Sequence, residues 1–209
     1  MLSQTDRAYE VIKARIVSLN LSPGDVLKET DLMEELGLGR TPIREALQRL
    51  ARDDLVVIQP RRGMYVSEIG ITDLKHIFEA RIPLEMWAAR FAAERISNEK
   101  LNEMEQIIGR IEQYEGADYA GQLMESDRQV HEIITKSTGN KFIIDGVRWL
   151  YDLTARIWRL EPDPLAGADA MLLHYRDLLG ALRKRDPDLA EAVMKHHVMD
   201  FWSQVRSQV

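Results

Sequence analysis

Glu29-Thr30-Asp31-Leu32-Met33-Glu34-Glu35-Leu36-Gly37-Leu38-Gly39-Arg40-Thr41-Pro42-Ile43-Arg44-Glu45-Ala46-Leu47-Gln48-Arg49-Leu50 is the stretch whose reading decides the fold. Leu32, Met33 and Leu36 recur at helical spacing behind Thr30, an N-cap candidate, and Gly37-Leu38-Gly39 ends a short helix over 31–36. A second helix is expected from Thr41-Pro42. The threonine hydroxyl can accept from first-turn amides, and proline at the first helical position lacks only an N–H that has no partner there. This helix puts Ile43, Ala46, Leu47 and Leu50 on one side and Arg44, Gln48, Arg49 and Arg52 on the other. Two helices joined at glycines, the second apolar on one face and basic on the other, make a helix-turn-helix.

Upstream, Ala8, Val11, Ile12, Ile16 and Leu19 repeat at helical spacing over 5–19, and Leu21-Ser22-Pro23-Gly24 stops the run. Downstream, the β-branched run Leu55-Val56-Val57-Ile58-Gln59, the turn Pro60-Arg61-Arg62-Gly63 and the return Met64-Tyr65-Val66-Ser67 form a two-stranded hairpin with a basic tip. Helix, helix, turn, helix and basic hairpin is the order of a winged helix-turn-helix. After a connector at 68–71, Thr72 is placed to cap a helix over 72–96. Further helices are expected near 98–115, 117–137, 141–160, 167–185 and 187–207. They are separated by Gly116, Gly139-Asn140, Glu161-Pro162-Asp163-Pro164 and Asp186-Pro187. The fold class is therefore mainly α: a winged helix-turn-helix over 1–70, then an antiparallel all-α bundle of about six helices over 71–209.

The formal net charge of −6 is unevenly distributed. Residues 38–64 carry six arginines against three acidic groups, whereas the segment from 71 onward carries 18 basic and 23 acidic residues. A basic stretch on an acidic body suits one DNA-facing edge, the rest being kept off the phosphates by repulsion. Arg40, Thr41 and Arg44 cluster at the helix end that enters the major groove. An arginine fork can bond guanine O6 and N7, and a threonine can hold a phosphate. The wing tip, Arg61-Arg62-Gly63, is suited to phosphates or the minor groove. The chain has no cysteine, which excludes disulfides, thiolate metal sites and a cysteine nucleophile. It has no apolar run near the roughly 20 residues that span a bilayer and no signal-peptide pattern at MLSQTDRAYEVIKARIV. A cytoplasmic protein with no membrane partner is expected.

In the helical half, Asp127 and His131 lie four apart and share a helix face with the apolar stripe. His174 lies in line with Met171, Leu178 and Leu182. His196 lies in line with Leu189, Val193 and Asp200, and His197 with Val193 and Phe201. A buried imidazole or carboxylate is costly without a partner. Three helices aiming such groups inward point to convergence on a metal ion. Imidazole and carboxylate suit Zn, Ni, Mn, Fe or Co without selecting among them.

The stretch 29–50, with Pro60-Arg61-Arg62-Gly63-Met64-Tyr65-Val66, resembles the GntR family of bacterial regulators. That family's S-R-T-P-V-R-E-A-L core is matched except for Gly39 in place of Ser and Ile43 in place of Val. The resemblance implies DNA contacts from Arg40, Thr41, Arg44, Arg62 and Gly63. Thr30 stands where the family often has a basic DNA-contacting residue. The helical half resembles the C-terminal FCD-type domain of the FadR subfamily, its helix count that of the VanR-like branch. There Asp127-Arg128-Gln129-Val130-His131 matches a D-x-x-x-H pair, and His174-Tyr175-Arg176 a third ligand. The family spacing to a fourth selects His196 over His197. The implied metal set is Asp127, His131, His174 and His196, completed by water or an effector carboxylate. Arg81 matches a pocket arginine, with a salt bridge to Glu85 as the competing reading. Asn140 matches a Gly-Asn step beside the effector, with an N-cap role as the competing reading. Arg128, Arg148, Arg156 and Trp158 are further candidate pocket linings.

Together these readings describe a homodimeric regulator of transcription, not an enzyme. It would bind a palindromic operator in double-stranded DNA and repress until a small carboxylic acid occupies the metal site. Two competing readings remain. One is a metal-dependent enzyme in which the Asp/His site activates water. The other is a DNA-binding protein whose metal is purely structural.

Overall fold

The computed structural model describes residues 3–68, 70–160 and 167–207. The chain divides into two compact units. The first comprises Met1–Leu74 with Asp152–Arg159, the second Lys75–Tyr151 with Leu160–Val209.

In the first unit α1 spans Gln4–Val17, started by Ser3, whose hydroxyl accepts from the Asp6 amide. Helix α2 spans Glu29–Leu36 and α3 Arg40–Arg52. The starts of both differ from expectation. Helix α2 begins one residue ahead of Thr30, with Lys28 at the cap, and the Thr30 hydroxyl turns to Asp31 at 3.0 Å. Helix α3 begins at Arg40 behind Gly39, so Thr41 lies inside the helix rather than capping it. Neither cap position carries a side-chain cap bond. Gly37 ends α2 at φ +63°, a left-handed conformation that glycine adopts without a Cβ penalty. The apolar faces meet in one core. Ala8, Ile12 and Ile16 of α1 and Ile43, Ala46, Leu47 and Leu50 of α3 are completely buried. Burying each Ile or Leu contributes about 1.5–3 kcal/mol.

Strands β1 (Val56–Gln59) and β2 (Gly63–Val66) pair antiparallel, Val56 opposite Val66 and Gln59 opposite Gly63. The tip turns through positive φ at Arg61 (+63°) and Gly63 (+116°). The second edge of β2 is covered locally: Val26 bridges to Tyr65, and the Leu27 amide donates to the Met64 carbonyl at 2.8 Å. The segment Asp152–Arg159 belongs to this unit. Lys13 pairs with Asp152 at 3.1 Å. Arg156, fully buried, gives one guanidinium nitrogen to the Ser67 hydroxyl at 3.0 Å and the other to the Ser67 carbonyl.

The second unit is built from α4 (Ile71–Arg95), α5 (Asn98–Glu112), α6 (Tyr119–Ser137), α7 (Lys141–Trp158), α8 (Ala168–Arg183) and α9 (Pro187–Ser207), the ends of α4 and α7 counting with the first unit. Asp73, not Thr72, serves the start of α4, its carboxylate accepting from the Gly70 amide. Pro83 is carried inside α4, where it removes one backbone donor. Ser97, Asp118 and Asp186 start α5, α6 and α9 by accepting from amides three residues on. The expected break at Glu161–Pro164 lies outside the described residues. The core of this unit sets the small residues Ala88, Ala89, Ala92 and Ala93 of α4 among Met104, Ile107 and Ile108 of α5. Val130 and Ile134 of α6, Leu178 and Leu182 of α8 and Met194 and Val198 of α9 complete it.

Candidate metal centre and nucleic-acid interface

Helix α6 carries Asp127 and His131 one turn apart on its buried face, and α9 carries His197 on its own. Their donor atoms converge. The Nε2 atoms of His131 and His197 are 3.0 Å apart, and they lie 3.5 and 3.3 Å from Asp127 Oδ1. Metal–imidazole and metal–carboxylate bonds are about 2.0–2.2 Å long, so ligands on one ion stand about 3.0–3.5 Å apart for angles between square and tetrahedral. The three separations fall in that range. Two imidazoles and one carboxylate are also a donor set that first-row divalent metals accept. The residues present therefore fit a metal ion, and they are the group of potential ligands found among the described residues.

Buried polar partners hold this triad in place. Glu85 of α4, 1% exposed, engages His131 Nδ1, which leaves Nε2 facing the other two donors. Arg81, one turn before it and 3% exposed, pairs with the same carboxylate and lies 5.1 Å over the Tyr151 ring. The Tyr151 hydroxyl donates to one Asp127 oxygen at 2.6 Å and the Tyr175 hydroxyl to the other. Burial alone would push the Glu85 carboxyl up, but Arg81 and His131 overcome it and hold the group at about 2. Burial would likewise push His131 down, yet the Glu85 and Asp127 charges raise it to about 9. Asp127, despite burial, is held well below the usual carboxylate range by His131 and His197. His197 is lowered, chiefly by burial.

The expected ligands separate here. Asp127 and His131 stand in the triad. His174 stands beside it, half-buried, its ring edge-on to His197 at 6.0 Å and its Nε2 3.7 Å from Asp200. His196 is exposed, and the adjacent His197 takes the position expected of it. Consecutive helix residues point about 100° apart. His197 shares its direction with buried Val193 and half-buried Phe201, whereas His196 shares its own with exposed Asp200. Arg81 is engaged by Glu85, as its competing reading had it. Asn140 is exposed and caps α7, its side-chain oxygen accepting from the Phe142 amide at 3.0 Å. Arg156 is committed to Ser67, and Arg128 to Glu125 and Glu132 on its own helix. Glu85, Tyr151 and Tyr175 were not anticipated as supports of the triad. Only Tyr175 had a local signal, its place next to His174.

In the first unit Arg40, Thr41 and Arg44 are all exposed on the face of α3 opposite Ile43 and Leu47. Arg44 grips Glu29 through Nε at 2.7 Å and Nη2 at 3.1 Å, and Arg40 Nε is 3.3 Å from the same carboxylate. Arg49, on the same helix, is used differently. It lies over the Tyr9 ring, 3.9 Å from the centroid, and pairs with Asp6 at 3.0 Å. Arg61, Arg62 and Gly63 are exposed at the wing tip, where the Tyr65 hydroxyl donates to the Arg62 carbonyl at 2.8 Å and fixes the turn. The result is an exposed cationic edge on a well-buried scaffold, suited to a polyanion.

Comparison with known proteins bears on both units. Residues 4–66 match the model of the bacterial regulatory proteins of the gntR family, and residues 76–200 match the FCD domain. The HTH-type transcriptional repressor RspR of Escherichia coli is 27% identical over 202 residues, covering 95% of this chain and 87% of that protein. The Bacillus subtilis HTH-type regulator YdhC is 26% identical over 197 residues, covering 91% and 84%. Among solved structures, E. coli McbR/YncC superposes with a TM-score of 0.87 at 23% identity, covering 100% of this chain and 99% of that one. A putative GntR regulator from Rhodococcus sp. RHA1 superposes with a TM-score of 0.83 at 19% identity, covering 100% of both.

Proposed function

Since this chain belongs to the GntR family of transcriptional regulators and carries an FCD domain, we propose that it is a metal-dependent, ligand-responsive repressor that works as a homodimer. One observation carries the reading: Asp127 Oδ1, His131 Nε2 and His197 Nε2 aim at a single point in a buried, polar-braced site. These three residues would hold a divalent transition metal, with His174 next to them. The metal would supply a Lewis-acidic position for the carboxylate of a small organic acid. The chain's own residues do the rest. Glu85 orients His131, the two tyrosines orient Asp127, and the apolar core around them excludes water.

The DNA-binding surface would be Arg40, Thr41 and Arg44 on α3, with Arg62 and Gly63 on the wing. Two copies would meet the half-sites of a palindrome. The acid must bind the DNA-competent and DNA-released states with different affinity to act as a signal. The named repressor among the relatives is consistent with repression.

The test is DNA retardation with the upstream region of the chain's own gene. Metal-loaded and chelator-stripped protein would be compared, each with a panel of small mono- and dicarboxylic acids. Release by one acid only from the metal-loaded protein is the expected result. Tight DNA binding indifferent to both metal and acids would overturn the sensing half.

A further inference from the structure

Glu29 is an odd residue to find on a DNA-binding edge. It is the first residue of α2, it lies among exposed arginines, and its own side chain is only 14% exposed. Both of its oxygens are in use. Oε1 accepts from Arg44 Nε at 2.7 Å, Oε2 accepts from Arg44 Nη2 at 3.1 Å, and Arg40 Nε stands 3.3 Å from Oε2. A carboxylate here repels phosphates, so on electrostatic grounds alone it weakens DNA binding.

The geometry of the grip explains its presence. A guanidinium has five N–H donors arranged along two usable edges, Nε with Nη2 and Nη1 with Nη2. Glu29 takes the first edge. The end-on edge is the one that can reach beyond the protein surface to a guanine O6/N7 pair. An unheld arginine samples many rotamers and can satisfy a phosphate as readily as a base. One clamped side-on presents its remaining fork in a single direction.

We propose that Glu29 is a specificity-determining residue: it clamps Arg44, and more loosely Arg40, so that the free fork of Arg44 reads a guanine instead of scanning phosphates. This rests on the assignment of α3 as the groove-facing helix. Glu29 thereby exchanges non-specific affinity for discrimination. A good bidentate arginine–guanine pair discriminates roughly 5- to 150-fold against the wrong base, and Glu29 would supply about tenfold of it.

The experiment is selection of bound sequences from a randomised duplex library by the full-length protein, wild type against Glu29→Gln, Glu29→Asp and Arg44→Ala. Thermal melting of each variant is measured alongside. Wild type is expected to enrich a motif containing a guanine whose preference Arg44→Ala abolishes. Glu29→Gln should weaken the preference at that same base pair about tenfold, while binding unselected duplex as well as or better than wild type. Glu29→Asp keeps the charge but shortens the reach, so it should lose the preference too. If Glu29→Gln and Glu29→Asp enrich the wild-type motif unchanged, Glu29 does not set specificity. If both lose melting temperature and all DNA binding together, its role is structural. If wild type enriches no motif at all, the assignment of α3 itself is wrong and this inference goes with it.

Discussion

His197 Nε2 lies 3.3 Å from Asp127 Oδ1 although the two residues are on different helices, α9 and α6. His196, its neighbour in sequence, is exposed. The pair of histidines therefore gives a sharp contrast. His197→Ala should abolish stoichiometric metal retention, whereas His196→Ala should leave it intact. Removing even a group hydrogen-bonded behind a ligand costs roughly 10–100-fold in affinity, and removing a ligand should cost more. Elemental analysis after dialysis, with zinc and nickel titrated calorimetrically, reads the difference. Equal loss in both variants would contradict the geometry.

Glu85 stands behind His131 and should matter nearly as much as a ligand. Glu85→Gln keeps the shape but replaces a charged acceptor with a neutral amide. It should lower metal affinity by about 10–100-fold. It also removes the carboxylate that pairs with the buried Arg81, and breaking a buried pair costs about 3–5 kcal/mol. Metal titration of the variant, together with denaturant melting of its metal-free form, separates the two effects. Unchanged zinc affinity would mean that Glu85 serves Arg81 alone.

How much of this was legible beforehand depends on how local the signal is. The helices and the wing announce themselves through helical spacing and a β-branched run, so their order follows from the chain. The helix starts are less legible. Thr30, Thr41 and Thr72 are good cap residues, yet the helices begin ahead of them, at Glu29, Arg40 and Ile71. Asp127 and His131 are visible as an i, i+4 pair. The choice between His197 and His196 turns on helix phase: the run Val193, His197, Phe201 points inward, whereas the family spacing favours the other histidine. Glu85 and Tyr151 reach the site from α4 and α7, and no local pattern ties those helices to α6. The grouping of Asp152–Arg159 with the N-terminal unit is equally long-range, since Arg156 finds Ser67 across 89 positions.

Alkaline pH should weaken the first unit through Tyr9. Its hydroxyl donates to Asp53 at 2.7 Å. Burial first, then that neighbouring charge, raises its pKa well above the ordinary 10.0. A raised folded pKa gives stability that is whole below the unfolded value and is lost as pH climbs past it toward the folded one. Wild type should therefore lose stability from about pH 10 upward. Tyr9→Phe should cost about 0.5–1.5 kcal/mol at pH 8 for the lost hydrogen bond. Its deficit should shrink or reverse at pH 11. Denaturant melts at the two pH values test this, and a deficit that is constant or grows would rule it out.

The arginines of α3 and the wing should divide by function rather than by exposure. Arg62 is exposed on a turn held by Tyr65, and under the proposed function it would neutralise a phosphate. Arg62→Ala should weaken binding to all duplexes alike and lower the slope of log K against log salt by about 0.9. Arg49 is similarly cationic and 48% exposed, but it is committed to Tyr9 and Asp6. Arg49→Ala should leave the slope unchanged and cost stability instead, about 0.5–1 kcal/mol for an exposed cation–π contact. Fluorescence anisotropy on one duplex across a salt series, beside a thermal melt of each variant, gives both quantities. If Arg49→Ala lowers the slope as much as Arg62→Ala does, the DNA-facing edge extends further along α3 than the pairing of Arg49 with Tyr9 and Asp6 allows, and Arg49 must leave those partners when DNA binds.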